Sequence, residues 1–138
     1  MTDGITCASH AERPIPPAAV LALYRQEGWW PERTGEQVAE VLGRFPAAGA
    51  WRGEELVGFA RAVTDGALRG YVEDVVVRDG CRGNAVGHEL MSCLLAQLGG
   101  VSVVSLFCSA RLVPFYERSG FTATRQVVLH RAAAGGRP

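Results

Sequence analysis

The chain has 138 residues, of which 48% are hydrophobic, and its 14 basic residues balance 14 acidic ones. This length and composition favour one globular domain that buries a core without cross-links. The zero formal charge gives no electrostatic reason to expect nucleic acid as a partner. The sequence has no run of 18 apolar residues, so we expect no segment that spans a membrane.

The four cysteines are too far apart in sequence to form a CxxC pair, so we expect no zinc or other metal site. The N-terminal residues lack the apolar core of a signal peptide, which predicts a cytoplasmic location where thiols stay reduced. Every basic residue is arginine, and this excludes a lysine Schiff base from the chemistry.

Helical signals dominate the first part of the chain and strand signals the middle. Thr34 and Gln37 form a capping-box pattern that predicts the start of a helix. Near residue 50 the hydrophobic period changes to that of strands, with turn residues at Gly53-Glu54 and Asp65-Gly66. The predicted elements, in chain order, are a short strand at 5–8, helices at 18–26 and about 35–45, and antiparallel strands that end at 52 and lie at 56–63 and 68–77.

The order of elements changes again at residue 77, where the strand that ends there is followed by a loop, a helix and a second strand. Such a unit places its two strands parallel, with a right-handed crossover. The sequence therefore predicts an α/β fold with a mixed sheet, in which antiparallel N-terminal strands precede a parallel pair. The remaining predicted elements are a helix at 86–98, a strand at 101–107, a short helix near 114–118, a last strand at 121–130 and a loose tail at 132–138.

The loop at 81–88 is a candidate anion site. Small residues at 83, 85 and 87 let the backbone approach a ligand, and the helix that follows offers unpaired N–H groups. Arg82 adds a full positive charge, so a phosphate or pyrophosphate is the expected ligand. A tight turn that binds nothing is the alternative. The loop contains neither a dinucleotide fingerprint nor a P-loop.

Glu73 and Asp74 are the candidate general bases. Side chains alternate along a strand, so the two carboxylates are predicted to point to opposite faces. A carboxylate on a covered strand is partly buried, and burial raises its pKa towards the range of a useful base. The alternative is that both acids are solvated or paired with arginine.

Aromatic residues supply the remaining candidates. Tyr116, on the short helix, could donate a phenolic proton or simply pack its ring in the core. Trp29 and Trp30 could cover an acceptor pocket or pack in the hydrophobic core. His88, near a helix start, is read as an ordinary turn residue.

Two motifs together resemble the GCN5-related N-acetyltransferase (GNAT) family over about residues 50–130. These are Arg82-x-x-Ala85-x-Gly87 before a helix, and Phe-Tyr-Glu-Arg-Ser-Gly-Phe at 115–121. Ala85 departs from the glycine usual in that family, and Ser109 stands where asparagine is frequent. Residues 71–74 are similar to the polyamine acetyltransferase branch, and 58–65 to plastid-type arylalkylamine and lysine acetyltransferases.

The resemblance implies that the strands at 71–77 and 102–107 splay apart and that acyl-CoA lies between them. Backbone groups along 75–77 would pair with the pantetheine arm, and the loop at 82–88 would hold the pyrophosphate. The implied cofactor-binding residues are Val75, Val76, Val77, Arg82, Gly83, Asn84, Ala85, Val86, Gly87, His88 and Ser109.

The resemblance also implies the chemistry. Glu73, directly or through water, would take a proton from the acceptor amine, and Tyr116 would protonate the departing thiolate. Trp29, Trp30 and Asp74 would contact the acceptor. Direct transfer needs no covalent enzyme intermediate, so the cysteines have no required role.

We therefore expect a cytoplasmic N-acetyltransferase that uses acetyl-CoA, with one domain at 1–131, acting as a monomer or homodimer without nucleic acid or membrane. The acceptor is a small-molecule amine, a polyamine or arylalkylamine, or a protein amine. A non-catalytic acyl-CoA-binding sensor on the same fold is the alternative. A plain nucleotide-binding module fits the anion loop but not the order of elements.

Overall fold

A computed structural model describes residues 4–83 and 85–136 of the chain. The chain separates into two compact units, Met1–Leu106 and Phe107–Pro138. Asn84, which the sequence placed in the cofactor loop, lies outside the described residues.

The first unit is a five-stranded sheet in the order β1-β2-β3-β4-β5 with helices on its faces. The second unit, as described, contains a 3₁₀ turn at Ala110–Leu112 and the short helix α4 (Val113–Glu117). The elements of the first unit are β1 (Ile5–Ser9), α1 (Pro17–Glu27), α2 (Gly35–Arg44), β2 (Ala47–Arg52), β3 (Glu55–Thr64), β4 (Arg69–Val77), α3 (Val86–Ala96) and β5 (Val103–Leu106).

Local sequence explains where the first two helices begin and end. Pro17 occupies the first turn of α1, where its missing N–H costs nothing, and Gly28 ends that helix with φ at 70°. At α2 the Gln37 N–H donates to Thr34 Oγ1 at 3.2 Å, and the Thr34 N–H donates to Gln37 Oε1 at 2.9 Å. The predicted helices and their capping box are therefore confirmed. In the described part of the chain, we find no helix long and apolar enough to cross a lipid bilayer.

The sheet has the mixed topology expected from the sequence. β1 to β4 pair antiparallel, and β4 pairs parallel with β5. Helix α3 packs against β1 to β4, with Leu90 close to Gly58, while α1 packs against β3 and β4. On the α1 side, Phe59 and Leu23 lie in a continuous buried cluster. Helices thus cover the strand that carries Glu73.

The parallel pair is joined along only part of its length. The register runs from Arg69 opposite Val103 to Val72 opposite Leu106. β4 continues beyond this point to Val77, whereas β5 ends at Leu106. The strands are therefore paired at one end and not at the other, as a splayed pair requires.

The prediction of a last strand at 121–130 is wrong. The structure contains no strand there, and Val127 and Leu129 are exposed. The apolar alternation gives this segment strand propensity, but a strand is stable only when a neighbour completes its hydrogen bonds and one face is buried. Neither condition is met for these described residues.

Candidate active site

A bulge in β4 shapes the candidate site. Val76 lies opposite Phe59 but Glu73 lies opposite Arg61, so β4 has one extra residue between these pairs. Asp74, within the bulge, adopts a left-handed conformation with φ at 57°. Such a conformation is uncommon for residues other than glycine, although aspartate adopts it more readily than most, and bulges of this kind re-aim side chains.

The prediction that the two carboxylates face opposite sides is wrong, because the bulge interrupts the alternation of the strand. One arginine binds both: Arg61 Nε donates to Asp74 Oδ2 at 2.8 Å, and Arg61 Nη2 donates to Glu73 Oε2. The two acids therefore form one cluster on the side of the sheet that α1 covers.

Asp74 is the anchored member of this cluster. Its Oδ2 accepts hydrogen bonds from Tyr24 Oη and Arg33 Nη1, each at 2.7 Å, in addition to Arg61. Only 3% of its side chain is exposed. Burial raises the pKa of Asp74, but the Arg61 charge and the hydrogen bond from Tyr24 more than offset this, and the pKa lies below its usual value. Asp74 is thus held as an anion and is poorly suited to accept a proton.

Glu73 has the opposite character. About a quarter of its side chain is exposed, at 24%. Burial raises the pKa of Glu73, the charge of Asp74 raises it further, and Arg61 and Arg33 offset only part of the change. An accessible carboxylate with a raised pKa is the kind of group that takes a proton from a substrate.

Sequence reasoning missed both arginines of the cluster. The Arg33 guanidinium lies 4.4 Å from the Trp30 ring centre and 5.4 Å from that of Tyr24, so aromatic rings as well as Asp74 hold it. The backbone of Trp30 itself lies in the left-handed region, with φ at 48°. Arg61 could have been predicted, because counting residue pairs outward from the Asp65-Gly66 turn places Arg61 opposite Glu73. No sequence pattern linked Arg33 to β4.

The two tryptophans predicted as acceptor contacts lie beside this cluster. Both are partly buried and pack against the core cluster. Trp29 contacts the Tyr24 ring at 6.4 Å between centres, whereas Trp30 stacks on Arg33. They therefore serve as packing residues and also lie near the carboxylates.

The loop before α3 has the conformation that small residues allow. Gly83 and Ala85 have φ at 87° and 62°. A left-handed conformation costs an L-residue about 1–2 kcal/mol, so Ala85 bears a cost that glycine at this position would avoid. Gly87 and His88 lie in the first turn of α3, after the buried Val86.

Arg82 holds this loop against the end of α1. Its Nη2 donates to Glu27 Oε2 at 2.6 Å, and its Nη1 lies 2.9 Å from Asp79 Oδ1. Its Nε donates to the Val77 carbonyl at 3.0 Å. Two acids therefore share the charge of Arg82, and the arginine fixes the path from β4 into the loop.

Tyr116 is buried within the second unit. Its ring makes edge-to-face contacts with Phe115 and Phe121, at 4.8 and 6.1 Å between centres. Burial raises the pKa of Tyr116 to about 12, so its hydroxyl keeps its proton at neutral pH and can donate it. Ser109 precedes the 3₁₀ turn, and its carbonyl accepts from the Leu112 N–H at 2.9 Å.

Residues 22–132 match the sequence family described as "Acetyltransferase (GNAT) domain". This match covers most of the chain, and the protein belongs to the GNAT acetyltransferase family. The resemblance seen in the sequence is therefore confirmed.

Individual relatives agree with this assignment. The chain is 43% identical over 67 residues to serotonin N-acetyltransferase 2, chloroplastic, from Oryza sativa subsp. japonica, a match to 47% of this chain and 34% of the rice protein. It is 30% identical over 100 residues to an uncharacterized ycf52-like N-acetyltransferase from Prochlorococcus marinus, covering 67% of this chain and 56% of that protein. The chain thus spans about a third to a half of the curated relatives it matches.

A solved structure of a GNAT family acetyltransferase from Streptococcus pneumoniae TIGR4 superposes with a TM-score of 0.74 at 26% identity. The match covers 93% of this chain and 99% of the streptococcal protein. The α/β fold predicted from the sequence, with antiparallel strands before a parallel pair, is confirmed.

Proposed function

We propose that the protein is an N-acetyltransferase that moves the acetyl group of acetyl-CoA to a primary amine by direct attack. The observation that carries this proposal is Glu73, an accessible carboxylate with a raised pKa, placed where β4 parts from β5. Membership of the GNAT family supports the same chemistry.

The proposed reaction begins with proton removal. An alkylamine enters as an ammonium ion, and only the neutral amine attacks a thioester. Glu73, directly or through water, accepts the proton. The amine nitrogen then bonds to the thioester carbonyl carbon, the carbon–sulfur bond breaks, and the thiolate leaves. Tyr116 supplies a proton to that thiolate, and the second proton that the new amide nitrogen loses returns to Tyr116 through solvent. General acid–base help of this kind is worth about 10²–10⁴ in rate.

Acetyl-CoA is proposed to lie along the unpaired part of β4. Backbone groups of Val75, Val76 and Val77 would contact the pantetheine arm. The pyrophosphate would meet the loop and the first turn of α3, because the start of a helix directs backbone N–H groups and a partial positive charge towards an anion. The remaining proposed contacts are Arg82, Gly83, Asn84, Ala85, Val86, Gly87, His88 and Ser109.

The acceptor is proposed to approach from the side of Trp29, Trp30 and Asp74. The name of the rice relative, a serotonin N-acetyltransferase, favours an arylalkylamine, but the match covers 34% of that protein. A polyamine, another small amine or a protein amine remains within the proposal. One domain at 1–131, a cytoplasmic location and a monomeric or homodimeric state belong to the same proposal.

The test of this function is amine-dependent release of free thiol from acetyl-CoA, scored over a panel of amines and confirmed by the mass of the acetylated product. Alkyl, arylalkyl and polyamine acceptors should all be included. Release that requires both protein and amine is the expected result. Tight binding of acetyl-CoA without release by any amine would instead support the acyl-CoA-binding sensor.

Substitution of Tyr116 by phenylalanine is expected to reduce turnover by about 10², because it removes only the proton donor. The ring and its edge-to-face contacts remain, so stability and acetyl-CoA affinity should stay near those of the native protein. Turnover by thiol release and affinity by calorimetry measure the two effects separately. Native turnover in this variant would leave Tyr116 as a packing residue only.

A further inference from the structure

A cleft of about 390 Å³ opens beside α2 and reaches Arg61 of β3. Its size suits a small molecule. The cleft is lined by Tyr24, Arg33, Gln37, Val38, Glu40, Val41, Arg44, Phe45 and Arg61.

The charged groups of this cleft are mostly cationic. Its described lining includes three arginines and a single acidic residue, Glu40. Glu40 is paired on its own helix with Arg44, at 2.9 Å, and both side chains are largely exposed. Glu73 and Asp74 do not line the cleft. Arg33 and Arg61, the less exposed and deeper arginines, therefore line the cleft, while the carboxylates that they bind lie outside the lining.

The deeper arginines still offer hydrogen-bond donors. Arg33 Nη1 binds Asp74, but its Nη2 lies 4.0 Å from Glu73 Oε1, which is beyond hydrogen-bond length. Arginine presents five N–H donors in a planar fork that matches carboxylate and phosphate oxygens. An anionic group in the cleft can therefore bind Arg33 without displacing it from Asp74.

The charge of the acceptor itself makes such an anion favourable. Glu73 and Asp74 already balance the charges of Arg33 and Arg61. An ammonium acceptor adds a positive charge that this cluster does not offset, and moving its proton to Glu73 leaves that total unchanged. An acceptor that brings its own anionic group restores the balance, whereas a simple alkylamine does not.

The apolar part of the lining fits a short carbon spacer. Val38 is buried, and Val41 and Phe45 are partly buried along the same side of α2. A ligand with an acid group and a few methylene groups would contact both the arginines and these side chains.

We propose that this cleft is an anion-binding site and that the acceptor class is primary amines that also carry a carboxylate or phosphate. The acceptor part of this proposal rests on the proposed acetyl transfer, whereas anion binding in the cleft does not. Arg33 and Arg44 are the specificity-determining residues.

The experiment uses matched pairs of amines in the absence of acetyl-CoA. γ-Aminobutyrate is compared with n-butylamine, and phosphoethanolamine with ethanolamine, by calorimetry on the full chain at low ionic strength. The anionic member of at least one pair should bind about 10-fold or more tightly than its neutral-tailed partner, as charged hydrogen bonds imply. The two pairs distinguish a carboxylate from a phosphate ligand. Equal binding within both pairs overturns the proposal.

Two helix-end arginines provide a matched set of variants. Arg44 and Arg25 both lie in the last turn of a helix, but Arg25 is not part of the cleft. Arg44→Gln should weaken the anionic ligand about 5-fold, because one exposed cationic contact is lost. Arg25→Gln should leave that affinity unchanged. Equal losses of affinity in the two variants would show that anion binding depends only on the overall charge of the protein, and would overturn the proposed site.

Thiol-release assays with the same pairs separate the two proposals. Equal kcat/KM for the two members of both pairs overturns the anionic acceptor class while acetyl transfer stands. Anion binding that depends on Arg44 supports the cleft site even if no amine in the panel is acetylated. The absence of acetylation would then contradict only the proposed acetyl transfer to these amines.

Discussion

Replacing Glu73 with glutamine is expected to lower turnover at neutral pH by about 10²–10⁴, because the substrate ammonium loses its proton acceptor. Glutamine is nearly isosteric, and it can still accept a hydrogen bond from Arg61. Acetyl-CoA affinity should therefore remain close to that of the native protein. Steady-state thiol release across a range of pH is the measurement.

The pH profile makes this prediction specific. In the native protein, turnover should fall at acid pH as Glu73 becomes protonated, with an apparent pKa above that of an ordinary glutamate. The glutamine variant should lose this acid limb and regain part of its rate as the pH rises and free amine becomes abundant. A variant that retains native turnover and a native acid limb would place the base elsewhere.

Replacing Asp74 with asparagine is expected to destabilise the fold by about 3 kcal/mol, because it leaves two partly buried guanidinium groups without their main counter-charge. The Arg61 and Arg33 side chains are 11% and 22% exposed, so water compensates for only part of the loss. Urea denaturation of the variant and the native protein measures the difference. A change below about 0.5 kcal/mol, the range of ordinary surface substitutions, would contradict the anchoring role.

The pH dependence of stability should separate the two acids. The pKa of Asp74 is lowered in the folded state, so its stabilisation is present above the ordinary aspartate value of about 3.9 and is lost as the pH falls through the folded value. The pKa of Glu73 is raised, so its ionisation lowers stability as the pH rises. The glutamine variant at position 73 should therefore unfold at a urea concentration equal to or above that of the native protein at neutral pH.

The sequence predicted those parts of the fold that depend on local signals. The helix at Gly35–Arg44 begins at a capping box that short-range hydrogen bonds define, and the turn at Asp65-Gly66 joins two strands as expected. The parallel pair followed from the loop and helix between its strands. Each of these features needs only neighbouring residues, or a general rule of chain connection.

The parts that the sequence did not predict depend on contacts between distant residues. The alternation rule failed at Asp74 because Tyr24, Arg33 and Arg61 together hold its carboxylate in a bulged strand. The strand at 121–130 was predicted from alternation alone, but whether an alternating segment becomes a strand is decided by its partner. Local pattern therefore identified Glu73 and Asp74 as important residues but could not give their relative geometry.

Both cations that contact Glu73 are arginines, and this matters for a site proposed to handle a reactive thioester. A lysine at position 33 or 61 could bind the same carboxylates, but its amine can lose a proton and then attack an acyl group. The protein would acetylate itself and would lose the positive charge that the cluster needs. Guanidinium keeps its proton under these conditions and is a poor nucleophile. The choice of arginine thus makes the charged cluster chemically inert towards the acetyl donor it is proposed to serve.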